Sequence, residues 1–167
     1  IREGAAARRK FMDQSLCQLR PRYAQALAEY HRLYEHKTRI LRDREDNPGL
    51  LAMLPDFNER MCRVGAILIY YRARYCRALE GYAAPAHEDC SGGREKLTLG
   101  YETVKTVLDP FAKTEDIARN LREHQESHYH AELASGLCLS GPHKDDFIVE
   151  VNGRSARQFC SQGQVRT

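Results

Sequence analysis

Apolar residues recur at steps of three and four in the first half of the chain, the spacing of one face of an α-helix. One long helix is predicted from about Arg20 to Arg44, and a second from about Pro55, a residue favoured in the first helical turn. The stripes comprise Leu19, Tyr23, Leu27, Tyr30, Leu33 or Tyr34, and Ile40 or Leu41 in the first, and Phe57, Met61, Val64, Leu68, Tyr71, Tyr75 and Leu79 in the second. The break at 47–49 (Asn-Pro-Gly) is short, so the sequence predicts an antiparallel pair, an arm projecting roughly 35 Å at ~1.5 Å per residue.

The second half of the chain mixes strand and helix patterns. Residues 81–95, which include Pro85, Ser91, Gly92 and Gly93, are predicted to form an exposed loop, and apolar alternation from Lys96 to Val104 predicts a strand. A further helix should begin with Thr114 as its N-cap and run to about Ala134, ended by Gly136. Asn-Gly at 152–153 predicts a β-hairpin with strands near 146–151 and 154–160. The fold class is therefore α+β and mainly helical.

Composition indicates a soluble globular protein. Of the 167 residues, 42% are hydrophobic and 29% charged, too apolar a mixture for a disordered chain. No apolar run approaches the ~18 residues that span a bilayer, and no signal peptide is present, so we expect a cytoplasmic protein without a membrane partner. The six cysteines form no CxxC pair, which argues against a zinc ribbon and favours reduced thiols.

Charge is unevenly distributed along the chain, although the net charge is only +3. Residues 1–44 carry eleven lysines and arginines against five acidic residues, whereas residues 80–135 carry six against eleven. This asymmetry predicts a polyanion facing the first part of the chain, with a solvated helix face as the alternative. Candidate phosphate or DNA contacts are Arg8, Arg9, Lys10, Arg60, Arg63, Arg72, Arg74 and Arg77, and a merely solubilising role stays open for each.

The final segment holds a candidate phosphate site. Ser161, Gln162, Gly163 and Gln164 fit a capping box, in which a serine caps a helix and a glutamine three residues later bonds back. Unpaired N–H groups at a helix start suit a phosphate oxygen, and Gly163 would let the ligand come close to the backbone. An ordinary helix cap is the alternative.

Two clusters contain metal-ligating residue types. His143, Asp145 and Asp146 could hold Mg²⁺ or Mn²⁺ or supply a general base; alternatively, they bond the strand ends and orient the following loop, or contact phosphate. His124 and His128 share a helix face, but no third ligand follows at useful spacing, so we expect a surface or packing pair. We therefore predict no catalytic residue and no metal ligand.

Three blocks, taken in order, resemble the RecF family of DNA replication and repair proteins, which are SMC/Rad50-like ABC ATPases. The first contains Gly4 and the run Arg8-Arg9-Lys10-Phe11-Met12-Asp13, and the second is Gly141-Pro142-His143-Lys144-Asp145-Asp146. The third, after Asn152-Gly153, reads Ser161-Gln162-Gly163-Gln164-Val165-Arg166-Thr167. The chain departs from the family pattern at Ala5, where proline is common, at Lys144, where arginine is usual, and at Val165, where glutamine is usual.

The resemblance implies an internal segment of a longer protein. Residues 1–15 would lie near an ATP-binding head, 16–135 would form its helical lid or arm, and 136–167 would supply the β-hairpin and signature motif of the head. Ser161 to Gln164 would bind ATP in trans across a homodimer, supported by His143, Lys144, Asp145, Asp146 and Arg166. The dimer would clamp gapped or double-stranded DNA in recombinational repair and the SOS response, with RecO/RecR-like partners and a recombinase.

The resemblance also implies that catalysis needs parts outside this sequence. No G-x-x-x-x-G-K-[ST] motif occurs in it, and phosphoryl transfer requires such a phosphate cradle together with a metal. We therefore expect no ATPase activity, and no cofactor, for the 167 residues alone, and slow ATP hydrolysis with Mg²⁺ for the parent. Two alternatives stay open: a helical module that binds RecR-like or recombinase-like proteins, and a metal-dependent phosphoesterase built on His143, Asp145 and Asp146.

Overall fold

The computed structural model describes residues 4–159, with the side chains of 158 and 159 excepted. In this range the chain forms five helices and a small sheet. The helices are α1 (Ala5–Leu19), α2 (Pro21–Arg42), α3 (Leu54–Ser91), α4 (Thr114–Ser135) and α5 (Ala156–Phe159), and 3₁₀ turns span Pro48–Met53 and Pro142–Lys144. None of the described helices is long and apolar enough to cross a bilayer. The α+β fold class is confirmed.

Helices α2 and α3 form the predicted antiparallel pair. His36 contacts Phe57 near the connecting turn, while Tyr23 meets Tyr71 edge-on at 5.9 Å towards the other end. The predicted stripes face each other, because Leu33, Leu41, Met61 and Leu68 are all buried in one apolar cluster. Helix α3 also packs along α4 through a second cluster around Ile69, Ile117 and Leu121.

Helix α1 is an element that the periodicity of the sequence did not predict. Its apolar residues are few, and only Met12 and Leu16 among them are buried. Arg20 separates α1 from α2 in an extended conformation, with φ −140° and ψ 96°, because the following Pro21 disfavours helical backbone at this position. The chain therefore bends there, and α1 lies against the sheet through Met12, Phe147 and Val149.

The prediction of an exposed loop over residues 81–95 is wrong up to Ser91, because α3 continues that far with Pro85 inside it. The buried His87 ring bonds Glu95 at 2.9 Å, which ties the last turns of the helix to the strand that follows. Tertiary contacts thus override the local preference of proline. The helix ends two residues before Gly93, whose N–H bonds the Glu88 carbonyl at 2.8 Å with Gly92 in the left-handed region.

The sheet has three antiparallel strands in the order β1-β2-β3: β1 (Leu97–Glu102), β2 (Asp146–Val151) and β3 (Arg154–Ser155). Leu99 pairs with Val149, and Asn152 with φ 52° forms the tight turn to β3. The hairpin is confirmed, but the strand predicted over 154–160 is wrong over 156–159, where α5 follows at once, and Cys160 lies outside the described residues. Thr114 is the first residue of α4, not its N-cap, and Gly136 ends that helix as predicted.

Helices α2 and α4 are joined by a buried ion pair. Lys37 Nζ lies 2.6 Å from Glu132 Oε2, and both side chains are essentially inaccessible to solvent, at 0% and 2% exposure. The other oxygen of Glu132 accepts the N–H groups of Leu139 and Ser140, and the amide oxygen of Gln125 faces Lys37 Nζ at 2.8 Å. The carboxylate therefore anchors the chain that leaves α4 toward residue 141.

Removing one member of this pair should destabilise the fold strongly. Lys37→Met leaves a buried carboxylate without its counter-charge, and we expect a loss of about 3–5 kcal/mol in the free energy of unfolding. Chemical denaturation of the chain measures it. The matched control Arg39→Met, whose side chain is 75% exposed beside Asp43, should change the free energy by less than about 1 kcal/mol. A loss for Lys37→Met no greater than that for the control would contradict the account.

Candidate functional site

Arg72, in the middle of α3, is the centre of a buried polar network. Its guanidinium is 3% exposed, and all three nitrogens are engaged. Nε and Nη2 bond the carboxylate of Asp13 on α1 at distances of 2.9 to 3.1 Å. Nη1 bonds the Pro142 carbonyl at 2.7 Å and Asp145 Oδ2 at 3.2 Å. One side chain thus joins α1, α3 and the segment that precedes β2.

Two tyrosine hydroxyls complete the network. Tyr23 on α2 donates to Asp13 Oδ1 and accepts from Arg72 Nε at 3.0 Å, while Tyr101 on β1 donates to Asp145 Oδ2. Burial raises the pKa of Tyr23 well above the usual range, so its hydroxyl keeps its proton and can donate. Four elements of the fold therefore meet at one pair of carboxylates around one guanidinium.

Asp145 is the most deeply buried charged side chain of the network. Its side chain is fully buried, and Oδ1 has no hydrogen-bond partner within residues 4–159. Burial raises the pKa of Asp145 to about 6, although the Arg72 guanidinium and the Tyr101 hydroxyl act in the opposite direction. The carboxylate depends on Arg72 for its charged form, because loss of a buried partner typically costs about 3–5 kcal/mol.

Asp146 points away from Asp145 and is held by α1 instead. Arg8 forms a two-pronged pair with it, at 2.7 Å from Nε and 2.5 Å from Nη2, and Arg9 Nη1 bonds the Asp145 carbonyl oxygen at 2.6 Å. Burial would raise the pKa of Asp146, but the hydrogen bond and charge of Arg8, the Phe147 N–H and the charge of Arg9 together outweigh it and hold the pKa below its ordinary value. Two side chains of α1, Arg8 and Arg9, thereby hold the start of β2.

His143 is held by the helical arm. Its Nδ1 lies 2.9 Å from the Tyr30 hydroxyl and its Nε2 lies 3.1 Å from the Cys138 carbonyl oxygen. Burial lowers the pKa of His143 to about 4, so the ring is neutral near pH 7. The preceding Gly141 has φ 132°, and a Cβ there would lie 2.3 Å from the Tyr30 hydroxyl, so the turn requires glycine.

These contacts argue against the metal-dependent phosphoesterase. His143, Asp145 and Asp146 are engaged with the arm, α3 and α1 respectively, so their side chains do not converge on one point. No group of three or more histidine, cysteine or carboxylate side chains in residues 4–159 could hold a metal ion. The alternative in which His143 and Asp145 bond neighbouring elements describes the observed geometry. Lys144 is exposed and stays a candidate phosphate contact.

The predicted DNA contacts fall into two classes of environment. Arg8 and Arg72 are buried in ion pairs, so they serve the internal network in this structure, and Arg9 is half-buried. Lys10 and Arg77 are exposed, and the Arg77 guanidinium lies 3.5 Å over the Phe111 ring. The exposed Arg60 and Arg63 pair with Glu29 and Glu59, and Arg74 stacks on Tyr70. DNA contact at all of these positions stays a prediction.

The two remaining sequence predictions have different outcomes. His124 and His128 stack with ring centres 4.0 Å apart, and His124 Nδ1 lies 2.7 Å from Ser140 Oγ, so they are a packing pair as expected. The signature residues Ser161 to Gln164, together with Arg166, lie outside the described residues. Their role in nucleotide binding stays a prediction, as do the boundaries drawn at residues 15 and 135.

Comparison with known proteins identifies the family. No family model matches the chain. The curated protein "DNA replication and repair protein RecF" matches over the whole of the chain in Clostridium kluyveri at 30% identity, in Bacillus subtilis at 31% and in Listeria innocua at 32%. The chain belongs to the RecF family. It spans 44 to 45% of the length of these RecF relatives.

Solved RecF structures have the same fold. A structure described as RecF-ATP in the RecFOR pathway matches with a TM-score of 0.87 at 25% identity, over 98% of this chain and 43% of that one. Another, described as RecF-ATPrS, matches with a TM-score of 0.91 at 24% identity over the same shares. The described arrangement of arm, sheet and connecting segment is therefore a RecF arrangement.

The network contains residues that the sequence reasoning did not select. The sequence predicts a stripe that contains Tyr23 and Tyr30, a strand that contains Tyr101 and a motif that contains Asp13. It predicts no hydrogen-bond partner for any of these side chains. A signal for Arg72 was present, because Leu68, Ile69 and Cys76 lie three or four residues away on the same face of α3. An arginine within an apolar stripe indicates a buried ion pair.

The raised pKa of Asp145 predicts a pH-dependent contribution to stability. The contribution is fully present below the ordinary value of 3.8 and is lost as the pH rises through about 6. The wild type should therefore lose stability relative to Asp145→Asn between about pH 4 and pH 7, by on the order of 3 kcal/mol. Denaturant titrations of both proteins at several pH values measure this difference. A wild type that gains stability over the variant with rising pH would contradict it.

Proposed function

We propose that this chain is the arm and signature part of an ATP-dependent DNA-binding clamp that acts in recombinational repair of single-strand gaps. Two features support the proposal: the RecF relatives carry the name of a DNA replication and repair protein, and the matching solved structures are described as RecF with nucleotide. The observation that carries it is the fixed geometry of residues 142–146. This segment leads through β2 and β3 toward Ser161.

A signature motif must approach a nucleotide from a defined direction. The contacts that restrain residues 142–146 would set this direction. Asp145 is fixed by α3, Asp146 by α1 and His143 by α2. The bonds of Asp145 and Asp146 are charged, and charged hydrogen bonds are directional and shorter than neutral ones. Together with the neutral bond of His143, they restrain three of the four residues from 143 to 146. Precise placement of binding groups is the main contribution a protein makes to phosphoryl transfer.

The proposed site is one half of a composite site. Ser161 and Gly163 would offer backbone N–H groups and a hydroxyl to the γ-phosphate held by a second copy of the protein. The phosphate-cradling lysine and the carboxylate for Mg²⁺ would lie in the rest of the parent protein, so the 167 residues alone would not hydrolyse ATP. The parent would be a slow ATPase, because its bound nucleotides would join the homodimer.

The proposed partners follow from the family and from the charge distribution. DNA would be bound without sequence preference through exposed cations such as Lys10, Arg60, Arg63 and Arg77. RecO/RecR-like proteins and a recombinase would act with the clamp in the cytoplasm. The matching solved structures are themselves described as a recombination mediator in the RecFOR pathway.

The signature assignment predicts a selective defect. Ser161→Arg in the full-length parent should abolish ATP-driven dimerisation, since a bulky side chain would block the partner's γ-phosphate, while ATP binding by the single protomer stays unchanged. Sedimentation velocity with and without ATP measures the first property, and fluorescent-nucleotide titration of dilute protein the second. The matched control Ser127→Arg, at an exposed position of α4, should dimerise like the wild type. Normal dimerisation of Ser161→Arg would reject the assignment.

If exposed cations contact DNA, variants that lack them should have a DNA affinity that depends less on salt concentration. In the full-length parent, Lys10→Gln with Arg77→Gln removes two phosphate contacts, so the slope of log K against log salt for duplex DNA should shrink by about 2. Fluorescence anisotropy over a range of salt concentrations measures the slope.

The control for this measurement removes two cations from the acidic half of the chain. Lys105→Gln with Arg119→Gln, both at exposed positions, should leave the slope unchanged. Equal slopes for all three proteins would remove Lys10 and Arg77 from the interface.

A further inference from the structure

The Arg72 guanidinium connects three stretches of chain that are far apart in sequence. It bonds Asp13, which lies 59 residues before it, and Asp145, which lies 73 residues after it. It also bonds the Pro142 carbonyl, which accepts the Asp145 N–H as well, at the 3₁₀ turn Pro142–Lys144. Within residues 4–159, no other side chain of α3 forms hydrogen bonds to both α1 and the segment before β2.

Charge makes the connection obligatory. Arg72 lies between two carboxylates, and Asp145 has no second cation among its described contacts, since Arg9 bonds only its carbonyl oxygen. The exposed side of the network is occupied too: Asp13 is closed off by the Tyr23 hydroxyl, and Asp145 by the Tyr101 hydroxyl. A shift of α3 against α1 must therefore either break these bonds or carry residues 142–145 with it.

Residues 142–145 lead directly to the signature segment. Asp145 is followed by β2, the turn at 152–153, β3 and α5, and Ser161 lies 16 positions further along the chain. Met12 and Cys76, from the two helices that Arg72 joins, share one apolar cluster with Phe147, Val149 and Ala156. The sheet and the start of α5 thus rest on the same two helices, and the polar network fixes the angle at which they do so.

We propose that Arg72 is a positioning residue: it transmits the relative position of α1 and the arm helix α3 to residues 142–146, from which the chain continues to the signature residues. The proposal rests on the proposed function, because it assumes that the signature residues bind ATP in trans. Arg72 touches neither nucleotide nor DNA in this account and acts through Asp145 and the Pro142 carbonyl. Its planar, forked geometry matters, since a lysine offers a point charge that cannot bond three acceptors in these directions.

The test uses the full-length parent and the conservative variant Arg72→Lys, which keeps the buried positive charge. We expect ATP binding by the single protomer to stay within about twofold of the wild type, and ATP-driven dimerisation to weaken by about tenfold to about 100-fold, as expected for a small displacement of a binding group. Circular dichroism verifies the fold. The matched control is Arg63→Lys on the same helix, whose exposed side chain pairs with Glu59, and it should dimerise normally.

A second variant separates positioning from folding. Arg72→Met should dimerise less than Arg72→Lys, while both variants bind ATP equally well as single protomers. The lysine would then rescue dimerisation in part. If Arg72 were purely structural, ATP binding and dimerisation would both fall in step with thermal stability. If Arg72→Met does not fold, Arg72→Lys decides alone. Wild-type dimerisation in folded Arg72→Lys overturns the positioning role, as does an equal loss of protomer ATP binding. Absence of ATP-driven dimerisation in the wild type itself would instead reject the proposed function.

Discussion

The buried ion pairs of Arg72 with Asp13 and Asp145 are the constraint on which the arrangement of the molecule depends. A guanidinium and two carboxylates removed from water are costly unless each finds its partners, and here each is matched by a side chain from a different element. The apolar clusters would allow α1, the arm and the sheet to slide against one another, because hydrophobic contact is not directional. The buried charges do not allow such sliding, so they select one orientation of α1, the arm and the sheet relative to one another.

The same principle recurs at two other junctions of the fold. Lys37 and Glu132 connect α2 to α4, and Glu132 goes on to hold the backbone after α4 through two N–H groups. Arg8 and Asp146 connect α1 to the start of β2. These pairs surround residues 137–146, a stretch with little regular secondary structure, and replace the hydrogen-bond ladder that a strand or helix would have given it.

Much of the fold could be predicted from the sequence, because the signals were local. The stripes through Leu33 and Leu68 gave the antiparallel pair, and Asn152-Gly153 gave the hairpin turn. The errors came where distant contacts decide. Pro85 is a breaker in isolation, yet helix α3 passes through it since His87 is buried beyond it. The second strand of the hairpin is predicted to continue through residues 156–159, but it ends at Ser155 because α5 begins at Ala156.

The site was predictable in part, for a related physical reason. The motif from Gly141 to Asp146 could be recognised in the sequence, but its partners could not, since Asp145 meets Arg72 across 73 positions. Arg72 was grouped with exposed arginines because charge alone does not distinguish a surface from a core position, whereas its apolar neighbours on α3 do. The role proposed for Ser161 to Gln164 would involve residues of a second protomer, which the sequence of one chain does not place.

The central claim is that residues 142–146 are held by the network as firmly as the helices around them. Amide hydrogen exchange of the full-length protein tests this most directly, because Lys144 and Asp145 donate only to the carbonyls of Gly141 and Pro142 in a single short turn. An isolated turn would exchange within the time of local fraying. The account predicts that these two amides exchange as slowly as those of α3 around Arg72. Exchange at the rate of an exposed loop, with α3 protected, would contradict it.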